Sequence, residues 1–247
     1  MATRRITHPL LVLVLLSAGS ACAAETVDAL LDKARAAIAR EHHEEAIAEL
    51  SRTIELDPQA AAAYDLRGSE QFKLGHIAES IADFDKFLSL RPDETAGHWK
   101  RGISYYYAGR YAEGRKQFEG YQTVDDNDVE NAVWRYLCMA RADGVAKARE
   151  QILKIGDDRR VPMREVYSLY AGKITPDEVL AAARLGKPTP AQLNERLFYA
   201  HLYVGLYHEA AGDKAKAREH ITTAAEKHKI GHTMWDVARV HAERLSK

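Results

Sequence analysis

At 247 residues the chain carries 35 lysines and arginines against 36 aspartates and glutamates, a formal net charge of −1. With 46% hydrophobic and 29% charged residues it has the composition of a folding chain, not of a disordered one. The same balance excludes an extended phosphate-neutralising surface: basic clusters such as Arg159-Arg160 directly follow acids, Asp157-Asp158, so no nucleic acid partner is expected.

Residues 1–21 have the layout of a secretory signal peptide: Arg4 and Arg5, the apolar run Leu10–Leu16, then small residues through Ala21. The run is too short to span a bilayer. Its removal leaves 33 basic against 36 acidic residues, since it holds two arginines and no acid. A standard signal peptidase would use Ala21-x-Ala23 or Cys22-x-Ala24. Alternatively, Ser20-Ala21-Cys22 resembles the end of a bacterial lipoprotein signal. That resemblance implies lipidation of Cys22 and, with Ala23 next to it, an outer-membrane lipoprotein facing the periplasm; without the lipid the product is soluble in the periplasm. Residues 22–26 then form a tether. The second cysteine is Cys138, so with Cys22 acylated or removed no intramolecular disulfide forms, and Cys138 reads as a small buried hydrophobe.

From Val27 a pattern recurs with a period of about 34 residues. In Val27–Pro58, Leu30, Leu31, Ala34, Ala37 and Ile38 recur at helical spacing behind a Thr26 cap, and Ala46, Leu50 and Thr53 mark a second helix. Ala61–Pro92 shows the plan most fully: Tyr64 then Gly68 in a first helix, Gly75 breaking the chain, and Ser80, Phe84 and Phe87 along a second that ends near Pro92. Thr95–Asp126 keeps Gly102, Tyr105, Gly109, Tyr111 and Phe118 and moves its large aromatic to Trp99. The large-then-small pair, the breaking glycine and the terminal Pro58 and Pro92 resemble the tetratricopeptide repeat. The resemblance implies an all-α fold, a tetratricopeptide-type helical-hairpin superhelix (α-α solenoid) whose units share one core.

After the third unit, Asp125-Asp126-Asn127-Asp128 is an acidic connector that caps the next helix; it lacks the glycine and distal glutamate of a calcium loop. Residues 128–155 read as a degenerate helical pair whose second helix, Gly144–Ile155, buries Ala146, Ala148, Ile152 and Leu153. Residues 161–186 form an irregular middle with a capping box at Thr175-Pro176-Asp177-Glu178. Thr189-Pro190-Ala191-Gln192 repeats that device ahead of a further pair, 190–228, in which Gly205, Gly212, Ala217, Ile221 and Ala224 are in register. Residues 232–246 form an amphipathic C-terminal capping helix, with Met234, Ala238, His241 and Leu245 on one face.

In the tetratricopeptide family the first helix of each pair lines a concave groove. Carried onto this chain, its groove positions are Ala62, Asp65, Ser69, Phe72 and Lys73 in the second unit and Ala96, Trp99, Ile103, Tyr106 and Tyr107 in the third. The expected partner-binding groove is therefore Phe72, Lys73, Trp99, Ile103, Tyr106 and Tyr107, with at least two of the aromatics exposed to a peptide or protein partner. Tyr64, Tyr105 and Phe118 are assigned to the core. Leu31, Asp65, Trp99, Arg35, Ser69 and Ile103 stand where chaperone-binding members place a carboxylate clamp, so that function is not implied.

Neither Glu41-His42-His43-Glu44-Glu45 nor His228-Lys229-Ile230-Gly231-His232 has the spacing of a zinc site, and neither a metal nor a cofactor is expected. Catalytic motifs such as Gly-x-Ser-x-Gly, His-Glu-x-x-His or a phosphate loop do not occur, so an enzyme is not expected. The whole layout resembles the new lipoprotein I family, the outer-membrane tetratricopeptide lipoproteins that are adaptors of murein hydrolases. That likeness implies a non-catalytic envelope scaffold, a homodimer, held at the membrane by a lipid anchor and bringing murein hydrolases to a periplasmic protease. A structural subunit of an envelope assembly, or an enzyme without a recognisable motif, are the alternatives.

Overall fold

A computed structural model describes residues 25–246. The signal peptide and Cys22 lie outside the described residues.

The described residues form thirteen α-helices and no strand. Three hairpins come first: α1 (Val27–Ala39) with α2 (His43–Leu56), α3 (Ala61–Lys73) with α4 (Ile77–Leu90), and α5 (Trp99–Tyr107) with α6 (Tyr111–Tyr121). Each packs on the next. Thr26 caps α1 by accepting from the Ala29 N–H at 3.2 Å. The third unit's first helix starts only at Trp99, because a 3-10 turn at Pro92–Glu94 and a further turn take up the preceding residues.

Each hairpin is closed by a small residue facing a large one 16 positions later. A Cβ on Gly68 would sit 2.8 Å from the Phe84 ring, and one on Gly102 2.7 Å from Phe118. The first unit has Ala34 instead, and the residue 16 further on is Leu50; both are fully buried. A smaller facing side chain accommodates the added methyl, so pair volume is conserved. The turns keep the same period. Gly75 and Gly109 adopt left-handed φ angles of 77° and 73°, and one period before Gly75 stands Glu41, the one non-glycine with positive φ among the described residues, at 59°.

Arg67, Arg101 and Arg135 follow the same 34-residue spacing, and each reaches 16 residues back and 16 forward. Arg67 donates to Ser51 Oγ at 3.0 Å and to both Asp83 oxygens at 2.7 and 2.8 Å. Arg101 donates to Asp85 at 2.9 Å and to Gln117 Oε1 at 2.7 and 3.0 Å. Arg135 donates to Glu119 at 2.9 Å and to the Gln151 carbonyl at 2.6 Å. Each guanidinium thereby ties the second helix of one unit to that of the next, and the ladder makes α7 (Val129–Asp143) with α8 (Val145–Glu150) a fourth unit.

That fourth unit is cut short for a packing reason. Tyr136 stands one period after Gly102, where close approach needs a small residue, and it is buried edge-on against Tyr170 at 5.0 Å. The expected helix Gly144–Ile155 therefore ends at Glu150. Of its four expected core residues only Ala148 is fully buried; Ile152 and Leu153 are half-buried and Ala146 is exposed. Short helices α9 (Met163–Tyr170) and α10 (Pro176–Ala182) fill the space, with the capping boxes at Thr175 and Thr189 both formed. The hairpin plan returns in α11 (Pro190–Ala210) and α12 (Lys214–Lys227), where a Cβ on Gly205 would lie 2.7 Å from Ile221. The last helix, α13 (Thr233–Ser246), packs on α12 and also turns back against α3.

Candidate functional site: an acidic cleft on the inner face

The six residues expected to line an open groove do gather on the face formed by the first helices, but α13 covers most of them. Phe72 and Tyr107 meet edge-on at 5.3 Å, and Tyr106 and Tyr107 at 5.6 Å. The Tyr107 hydroxyl bonds His241 Nδ1 at 2.9 Å, Arg244 donates to the Tyr107 carbonyl at 2.7 Å, and Arg239 donates to the Lys73 carbonyl at 2.6 Å. Lys73 itself pairs with Glu70 at 2.7 Å and faces Asp236 of α13 at 3.9 Å. Phe72, Ile103, Tyr106 and Tyr107 are all at least 94% buried. The expectation of an exposed aromatic patch is thus corrected: the chain's own last helix occupies the place of a partner. Only a gap of about 20 Å³ remains between Phe72, Trp99, Ile103 and Val237, room for no more than one water. Tyr64, Tyr105 and Phe118 are core, as their register requires.

Trp99 and Ile103 also border a larger space. A cleft of about 650 Å³ opens between the third unit, the start of α7, the Asp157–Arg160 segment and the start of α13. Its apolar wall comes from Trp99, Phe118, Tyr121, Trp134 and Met234. Its polar wall holds five carboxylates, Asp125, Asp128, Glu130, Asp157 and Asp158, against two arginines, Arg159 and Arg160.

The inner carboxylates are organised by one guanidinium. Arg160 donates to Glu130 at 2.6 Å, to Asp128 at 2.7 Å and to Asp158 at 2.6 Å. Asp128 caps α7 through the Glu130 N–H at 3.0 Å, and Asp158 accepts from the Val129 N–H at 3.2 Å, so both sit where the helix dipole favours anions. Burial pushes the Glu130 carboxyl up to about 7, against the pull of Arg160 and of the Tyr203 hydroxyl that donates to it. Burial acts on Asp158 in the same direction, but Arg160 and two backbone N–H groups outweigh it and hold that carboxyl below its ordinary range.

Two buried polar atoms beside the cleft have no partner: Asn131 Oδ1 and Trp134 Nε1. The orientation of Asn131 is set by a relay. Gln122 Nε2 donates to the Lys154 carbonyl at 3.1 Å, which leaves Gln122 Oε1 to accept from Asn131 Nδ2 at 3.4 Å, which in turn leaves Asn131 Oδ1 unbonded. The sequence reads Asp125–Asp128 as a helix cap and Arg159-Arg160 only as a basic pair adjoining acids; it carries no sign that these two short charge runs, some 30 residues apart, close on each other through Arg160.

No group of three or more His, Cys, Asp or Glu among the described residues is arranged to hold a metal. His43 is taken by Glu70 at 2.6 Å and His228 by Asn194 at 3.0 Å. Cys138 is fully buried, and burial pushes its thiol up to about 12, so it behaves as the small hydrophobe its position suggests. No helix of the described residues is long and apolar enough to cross a membrane.

Residues 66–128, spanning the second and third units, match the tetratricopeptide repeat family. A tetratricopeptide repeat protein from Parabacteroides merdae, of known crystal structure, is similar over 90% of this chain and 84% of its own, with a TM-score of 0.52 and 14% identity. The tetratricopeptide repeat domain of P58(IPK) aligns with 89% of this chain and 65% of its own, with a TM-score of 0.38 and 15% identity. The comparison with curated proteins returns no match. At such identities the first likeness speaks to the fold alone, an all-α array of tetratricopeptide-type hairpins.

Proposed function

We propose that this chain is a non-catalytic protein-binding scaffold of the bacterial cell envelope, and that its partner segment enters the acidic cleft rather than the groove that α13 fills. The observation that carries this reading is the cleft itself: about 650 Å³ of space walled by rigid hairpins, aromatic on one side and carboxylate on the other. The signal-peptide layout of residues 1–21 supports export, and Cys22 would anchor the product to the outer membrane as a lipoprotein, two acyl chains sufficing for stable attachment. Murein hydrolases and a periplasmic protease are the partners that the lipoprotein resemblance suggests, with a homodimer as the assembly.

A photo-crosslinking side chain placed at exposed Asp125, on the cleft, tests the binding role; exposed Glu79 of α4, outside the cleft lining, is the control. Envelope proteins should couple at position 125 and not at 79, and equal coupling at both would remove the cleft from consideration. Intact mass of the mature chain tests the address: a diacylated Cys22 as the first residue is expected, and an unmodified terminus beyond residue 22 would contradict the anchor.

One feature favours a catalytic reading, the Glu130 acid raised to about 7 within a cleft. Each of its oxygens, however, already accepts a hydrogen bond, one from Arg160 and one from Tyr203, a structural pairing that accounts for the group without a substrate. Purified protein is therefore expected to release no soluble fragments from murein, and release that Glu130→Gln abolishes would reverse this conclusion.

A further inference from the structure

We propose that the cleft is a receptor for a basic side chain, the ammonium of a lysine or the guanidinium of an arginine, presented on an extended segment of a partner protein. The inference rests on the binding role above and adds the chemistry of the occupant. Four observations carry it.

The first is the charge inventory. Arg160 is shared among three carboxylates, so the inner cluster keeps a negative surplus whenever Glu130 is ionised, and Asp125 adds to it at the rim, where Asp157 is already paired with Arg164. Arg159 does not fill the deficit: its side chain is 90% exposed and it meets Asp157 only at 3.4 Å. A cation entering between these groups meets uncompensated anions in a partly dehydrated space, where the attraction exceeds that at an open surface.

The second is the state of the aromatic rings. Tyr64, Tyr105, Tyr111 and Trp235 each carry a lysine or arginine of this chain over the ring face. Among the described residues no such cation lies over Trp99 or Tyr121, the half-buried rings that border the cleft. They are the faces left for an incoming one.

The third is the unbonded acceptor. Asn131 is 97% buried, lines the cleft, and is held by the Gln122 relay so that its carbonyl oxygen, not its amide nitrogen, lacks a partner. A buried acceptor without a donor is unfavourable, and an ammonium or guanidinium supplies only donors.

The fourth selects the source of the cation. Trp134 Nε1, beside the same cleft, is a donor without an acceptor. A free polyamine offers it nothing, whereas the main-chain carbonyls flanking a lysine or arginine do. The cleft volume suits one long side chain with a few neighbouring residues.

The test uses the purified full-length protein and a positional-scanning library of N-acetylated, C-amidated hexapeptides. At one position lysine and arginine should be recovered at least tenfold over aspartate and glutamate. For the best peptide, Asp125→Asn with Asp157→Asn should weaken binding at least fivefold and flatten its salt dependence. Asn131→Leu should also weaken binding without lowering thermal stability, because it removes an unbonded buried acceptor at the loss of only the 3.4 Å bond to Gln122, a split that a merely structural role would not produce. Putrescine and spermidine should compete only at concentrations at least a hundredfold above the peptide's; competition at equal concentration would overturn the peptide as source. Recovery of acidic or apolar peptides in the cleft would overturn the charge assignment while leaving the scaffold role standing. Recovery of no peptide, together with no coupling at position 125, would overturn both.

Discussion

At the scale of single residues, this fold is decided by a few close approaches. The space opposite Gly205 is closely filled, because an added Cβ would meet not only the Ile221 side chain at 2.7 Å but its backbone nitrogen at 3.0 Å, which cannot rotate away. Gly205→Ala is therefore expected to lower stability by about 1–3 kcal/mol despite alanine's better helix propensity, and urea unfolding would detect it. Glu41 presents the reverse case. It holds a left-handed φ of 59° where the next units use glycine, a strain of about 1–2 kcal/mol. Its ion pair with Lys229, at 2.6 Å, is exposed and screened by solvent, so it returns little. Glu41→Gly should raise the urea midpoint slightly, and a lowered midpoint would mean that the Lys229 contact matters more than surface pairs generally do.

At the scale of elements, α13 decides what the inner face can bind. It buries Met234, Val237, Ala238 and Val240 and adds backbone-directed bonds from Arg239 and Arg244 to units two and three. Full burial of a methionine or valine side chain contributes about 1.5–3 kcal/mol each, so the helix is a large share of a total that is typically about 5–15 kcal/mol. Removing residues 233–247 should expose Phe72 and Tyr107, produce strong binding of a hydrophobic dye, and split the thermal transition. An unchanged single transition would show that α13 merely rests on the groove. The sequence pattern marked this helix as amphipathic and terminal; it carried no sign of which surface the apolar face would choose, since Met234, Ala238, His241 and Leu245 suit any hydrophobic groove.

At the scale of the whole molecule, buried titratable groups make stability depend on pH in two opposing ways. Burial, with His220 and His228 beside it, holds the His201 pKa at about 4 against an ordinary 6.5. Between those values the unfolded chain binds a proton that the folded chain refuses, so stability falls as pH drops through the window. His208, His220 and His228 are lowered by burial too and act in the same sense. Glu130, raised by burial from 4.5 to about 7, acts oppositely: its stabilising share is present at low pH and is lost as pH rises through that interval. His232 is lowered by burial as well, and burial raises Asp128 and Asp236 alongside Glu130; five histidines thus oppose three acids, so the melting temperature should fall from pH 7 to pH 4, and His201→Gln should shallow the decline. A melting temperature that rises over the same range would refute this assignment.

Periodicity alone was enough to determine the hairpins, because small-to-large pairs such as Gly68 with Phe84 and Gly102 with Phe118 are local matters of 16 residues, written in the chain at a period of 34. The caps at Thr26, Thr175 and Thr189 are equally local and equally legible. The arginine ladder was written at that period too, at Arg67, Arg101 and Arg135, and its meaning appears once its partners are placed. The tertiary structure alone decided two things: that α13 fills the face where a partner was expected, and that Asp128 and Glu130 meet Arg160 to build an acidic cleft beside it. Hydrophobic burial is non-directional, and ion pairing across 30 residues depends on where the backbone turns, so neither leaves a repeating signature in a sequence.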